Sequence, residues 1–74
     1  MSGKDKLQKL AEQYNMDKAE IANEAQLWNF IVKALGEDHK PAEIKKYLLS
    51  VGWDAKKIDS TMQNIRQTME NLES

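Results

Sequence analysis

Apolar residues fall at helical spacing in two matched sets 37 positions apart. Leu7, Leu10 and Tyr14 correspond to Ile44, Tyr47 and Val51; Ile21, Ala25, Trp28, Val32 and Leu35 correspond to Ile58, Met62, Ile65, Met69 and Leu72. Steps of three and four place each set on one face of a helix, whereas a strand would need period two, which no segment shows. Only Lys9/Lys46, Asp17/Asp54, Ile21/Ile58, Gln26/Gln63 and Leu35/Leu72 are identical, so the shared feature is the frame more than the residues. The pattern predicts an all-α domain, a small bundle of two helix-turn-helix hairpins over 4–35 and 41–72, with helices at about 4–14, 17–35, 41–51 and 54–72.

The corners carry their own signals. Asn15 and Gly52 are residue types that tolerate the left-handed turn closing a helix. Asp17 and Asp54 then stand where an N-cap should accept from free first-turn N–H groups. Met16 with Ile21 and Trp53 with Ile58 have the spacing of a hydrophobic staple, and Asp17 with Glu20 that of a capping-box variant. Between the hairpins, Gly36 reads as a glycine stop and Pro41 as the first residue of the next helix, leaving the loop 36–40.

The second helix is apolar over more than half its circumference. Trp28 lies in the middle of its stripe, while Phe30, nine residues after Ile21, falls roughly 180° away at 100° per residue. Leu27, Ile31 and Ala34 bridge the two sectors. Such a helix is either central, with neighbours on both sides, or keeps Leu27, Phe30 and Ala34 as a groove for a partner. In the last helix, Ile58, Met62, Ile65, Met69 and Leu72 form a coiled-coil-like seam too short to associate strongly alone. It packs against residues 21–35 or, made adaptable by Met62 and Met69, meets a partner helix or a second copy of the chain.

Composition narrows the chemistry. Seventy-four residues without cysteine permit one small domain with no disulfide and no thiolate metal site. No secretory signal is visible, and the longest apolar run, three residues, is far short of a bilayer span, which suits a soluble, cytoplasmic chain. Net charge is −1, divided as −2 over residues 1–39 and +1 over 40–74, well below the footprint of a dedicated nucleic-acid binder. His39 is the only histidine; beside Glu37 and Asp38 it has metal-donor chemistry, but without a second ligand cluster it reads as a solvated loop residue. No Gly-rich phosphate loop or nucleophile constellation accompanies it, so no cofactor and no catalytic residue is expected.

The outer face of the last helix offers an alternative. Lys56, Lys57, Ser60, Gln63, Arg66 and Gln67 can contact phosphates and base edges. Residues 44–61 share with DNA-binding helix-turn-helix units the turn glycine Gly52 and apolar Tyr47, Val51, Trp53 and Ile58. They depart from them at Leu48, where a small residue is favoured, and Asp54, Asp59 and Glu70 repel phosphate.

The order helix, short loop, Glu43-Ile44-x-x-x-Leu48, Val51-Gly52-Trp53-Asp54, Ile58-Asp59-x-x-Met62 resembles the second and third helices of ubiquitin-associated (UBA) and CUE-type three-helix modules, across residues 28–69. It is also similar to stretches of other small microbial helical domains. The resemblance implies a compact helical binding module. The ubiquitin-contacting Met-Gly-Phe/Tyr or Met-Phe-Pro loop of those families is absent, replaced by Gly36-Glu37-Asp38-His39, so no binding residue carries over. A non-enzymatic protein-interaction module is the leading expectation. A weak helix-turn-helix nucleic-acid binder is the alternative, and a small metal-dependent or hydrolytic enzyme is a third, least supported class.

Overall fold

A computed structural model describes the backbone of residues 3–73 and the side chains of residues 6–72. The described residues form four helices and no strand: α1 (Gly3–Gln13), α2 (Glu24–Gly36), α3 (Pro41–Ser50) and α4 (Ala55–Glu73). The all-α expectation therefore holds. Helix α2 packs on each of the other three, and α4 packs on both α2 and α3.

Three of the helices end in one local device. After α1, the N–H groups of Asn15 and Met16 donate to the carbonyls of Glu12 (3.2 Å) and Ala11 (2.9 Å), with Asn15 at φ 60°. After α3, Gly52 and Trp53 donate to Leu49 (3.2 Å) and Leu48 (3.0 Å), with Gly52 at φ 104°. After α2, Asp38 and His39 donate to Leu35 (3.2 Å) and Ala34 (3.1 Å), with Asp38 at φ 68°. A left-handed residue turns the chain so that two otherwise orphaned carbonyls find donors. In the α2 corner that residue is Asp38 rather than the expected Gly36, which remains helical, because an aspartate side chain also tolerates the left-handed region. Around the Gly52 position a Cβ would meet nothing within 4 Å, so only backbone conformation demands glycine there.

The first and third corners are tied together. Trp53 Nε1 donates to the Met16 carbonyl at 2.8 Å in the interior, joining residues that stand 37 apart in sequence. Both side chains are buried, which explains why an indole rather than a purely apolar ring occupies the position: the Met16 carbonyl needs a donor.

Helix α2 starts at Glu24, not near Asp17. Asn23 Oδ1 accepts from the Gln26 N–H (2.9 Å) and Gln26 Oε1 accepts from the Asn23 N–H (2.8 Å), a reciprocal capping box. Residues before it form turns, with Ile21 and Ala22 both donating to Lys18 O at 3.0 Å. Asp17 caps nothing in these bonds, and the Met16–Ile21 staple is absent, since Met16 is buried whereas Ile21 is 73% exposed. From Asp17 to Ala22 only the small Ala19 and Ala22 pack, partly buried, against the core. Asp54, by contrast, does cap α4: its Oδ2 accepts from the Lys57 N–H at 3.1 Å, and Ile58 is fully buried.

The face that α2 buries also differs from the expected stripe. Leu27, Phe30, Ile31 and Ala34 have no exposed surface, Trp28, Val32 and Leu35 are half-buried, and Ala25 is exposed. The Phe30 ring sits between those of Tyr14 and Tyr47, at centroid distances of 6.5 and 6.3 Å. Because three helices surround α2, the sector around Phe30 is the centre of the core. Of the two readings of α2, the central helix is the one found, and Leu27, Phe30 and Ala34, buried within the chain, line no groove for a partner.

Candidate interaction surface

With those residues sealed inside, the apolar surface lies elsewhere. Helix α4 has nineteen residues against ten in α3. Ile65 is its last buried residue among those described; the stripe continues through Met69, 42% exposed, to Leu72, 81% exposed, with no described helix covering it. Beside the stripe runs an open groove of about 760 Å³ whose apolar lining is Leu35 from α2, Pro41 from α3, and Met62, Ile65 and Met69 from α4. Its polar margin includes Asp59, Gln63, Arg66 and Glu70. Met62 and Met69 therefore line one surface, as the seam suggested. Leu35 and Pro41 were not anticipated there: they read as a core position and a helix start, and only tertiary packing brings the two ends of the α2–α3 loop against α4.

A second groove, about 470 Å³, separates α1 from α3. Its floor is Leu7, Tyr47 and Val51, and Glu12, Asp17 and Glu43 outnumber Lys46 along its margin. Burial, then the carboxylates of Asp17 and Glu12, push the Tyr47 hydroxyl above its usual pKa of 10.0.

The six residues of the alternative nucleic-acid face, Lys56, Lys57, Ser60, Gln63, Arg66 and Gln67, are all on α4 and all exposed. They are not a uniform cationic strip. Lys57 reaches toward Glu24 of α2 (3.8 Å), Arg66 lies 4.0 Å from Glu70, and Asp59, held by Lys45 of α3 at 2.8 Å, sits between Lys56 and Arg66.

His39 is not the solvated residue expected of a loop. Its side chain is 8% exposed, Nδ1 lies 3.3 Å from Glu43 Oε1, and Nε2 is buried without a hydrogen-bond partner. His39 follows the left-handed Asp38 of the α2 corner, whose turn folds it back onto the helix end with its own N–H bound to the Ala34 carbonyl. No group of three or more His, Asp or Glu residues placed to hold a metal ion occurs among the described residues. Nor is any described helix long and apolar enough to cross a membrane.

No protein-family model, curated protein or solved structure matches this chain.

Proposed function

We propose that this protein is a non-enzymatic interaction module that docks a helical protein segment along α4. The observation that carries the reading is the continuation of the α4 core stripe past its last buried residue into Met69 and Leu72, beside a groove floored by Leu35, Pro41 and Met62. Unbranched methionines let such a surface repack around an incoming helix. The resemblance to small three-helix binding modules points the same way. Against the nucleic-acid alternative stand Asp59 and Glu70, which interrupt the cationic residues of α4 and would face any phosphate backbone they met.

The test compares wild type with Met62→Glu/Met69→Glu in affinity capture from a native extract, after circular dichroism has shown both folded. Proteins held by wild type and lost by the variant are expected. An identical set on both would overturn the reading. Duplex DNA binding much tighter than about 10 µM at physiological salt, steeply weakened by added salt, would install the nucleic-acid alternative instead.

A further inference from the structure

We infer that the occupant of the α4 groove is a second copy of this chain, whose own α4 lies antiparallel across a two-fold axis near Gln63. The inference rests on the interaction reading above and adds the partner's identity. Residues 56, 59, 63, 66 and 70 advance by three, four, three and four, and so form one row along α4. All five are exposed. Along the row the charges read plus, minus, neutral, plus, minus: Lys56, Asp59, Gln63, Arg66, Glu70.

Reversed, that order becomes minus, plus, neutral, minus, plus, the opposite sign at every charged position. Lys56 and Glu70 each stand seven residues from Gln63, while Asp59 and Arg66 stand four and three away. An antiparallel copy centred there sets Lys56 against the second copy's Glu70 and Asp59 against its Arg66, and the two-fold repeats both pairs. A parallel copy would set like charge on like at every charged position. Antiparallel docking also opposes the two helix dipoles. Met62 and Met69 line the groove beside this row, so apolar contact runs along one flank of the ion pairs. Asp59 already meets Lys45 and Arg66 meets Glu70, but the side chains of Asp59, Arg66 and Glu70 stay 60%, 82% and 68% exposed, which leaves surface for a second partner.

An interface built on one helix belongs to the small, transient class, and the expected Kd is on the order of 10–100 µM. Sedimentation equilibrium from about 10 µM to 1 mM, at low and moderate salt, should show a reversible dimer that weakens as salt screens its exposed ion pairs. Lys56→Glu alone and Glu70→Lys alone should each raise Kd by roughly tenfold, because the two-fold turns two attractive contacts repulsive. Mixing the two variants in equal amounts should restore a dimer of near wild-type Kd, since in the mixed pair Glu at 56 faces Lys at 70 and Lys56 faces Glu70. A dimer indifferent to the single variants, or a mixture that stays monomeric, overturns the inference. A chain monomeric throughout overturns it as well; if Met62→Glu/Met69→Glu then still loses a captured protein, the interaction reading survives with a different occupant, and if it loses none, both fall.

Discussion

The corners at Ala11–Met16 and Leu48–Trp53 close their helices with corresponding hydrogen bonds, yet α4 resumes two residues after Trp53 and α2 only eight residues after Met16. Each corner is followed by an aspartate. Asp54 caps the next helix and Asp17 does not. Closing a helix depends on local geometry, a left-handed residue and two carbonyls in need of donors, so the same device forms with Asn15, Asp38 or Gly52 in the left-handed position. Opening the next helix is a contest between caps, decided by what each extra turn would bury. After Asp54 the first turn leads to Ile58, fully buried; after Asp17 the equivalent Ile21 is 73% exposed, and the Asn23–Gln26 box wins.

The comparison is most directly broken at those two isoleucines. Ile58→Ala should cost about 2–5 kcal/mol, a transfer loss plus a cavity, enough to unfold most of a domain this small. Ile21→Ala should stay within ~0.5 kcal/mol of wild type. Urea unfolding followed by circular dichroism reads both. Equal costs would mean that the segment from Asp17 to Ala22 packs as the second half does.

The bond between the corners gives the next effect. Trp53→Phe keeps most of the ring but leaves the Met16 carbonyl without its donor, which should cost about 1–3 kcal/mol. Amide exchange sharpens the reading, because Met16 and Trp53 N–H protection should fall together if the indole joins the two corners into one cooperative unit. Loss at the Trp53 corner alone would separate them.

The third test sets cap against cap. Asn23→Ala and Asp54→Ala should each lower stability by about 1 kcal/mol, while Asp17→Ala should change it by less than ~0.5 kcal/mol. A cost at Asp17 as large as that at Asp54 would restore the helix start that the repeat predicted.

Much of this architecture was legible in the residues. Asn15, Gly52 and Asp54 act through neighbours within a few positions, and local chemistry of that kind survives in a sequence. The Asn23–Gln26 box is equally local, but it stands out of frame with the repeat, which puts Asp17 and Glu20 at the matching place. The rotation of α2 was not legible: with apolar residues over more than half its surface, periodicity gives no preferred side, and the choice of Phe30 over Ala25 as interior is made by α1, α3 and α4 together. The groove was half legible. Met62 and Met69 announce themselves as an adaptable seam, whereas Leu35 and Pro41 reach it only because the α2–α3 loop folds both of its ends onto α4. The burial of His39 belongs to the same class, set by a corner whose left-handed residue is Asp38 instead of Gly36.

The smallest expected effect shows what Asp17 does in place of capping. It stands at the margin of the groove between α1 and α3, where burial first, then Asp17, then Glu12 hold the Tyr47 hydroxyl protonated above its ordinary value of 10.0. In the unfolded chain Tyr47 ionises at the ordinary value, so at higher pH the unfolded state has already lost a proton that the folded state keeps. Stability from this group is therefore fully present below about pH 10 and is lost as pH rises through the folded pKa. Asp17→Asn removes one of the two repelling carboxylates and should narrow that window without closing it, because burial and Glu12 remain. Tyr47→Phe should abolish this contribution to the alkaline slope altogether. A tyrosinate absorbance titration in a Tyr14→Phe background, which leaves Tyr47 as the one titrating phenol, reads the shift directly. A Tyr47 titration unmoved by Asp17→Asn would show that Asp17 lies too far from the ring to be felt, and that the first corner, unlike the second, gives its aspartate no partner at all.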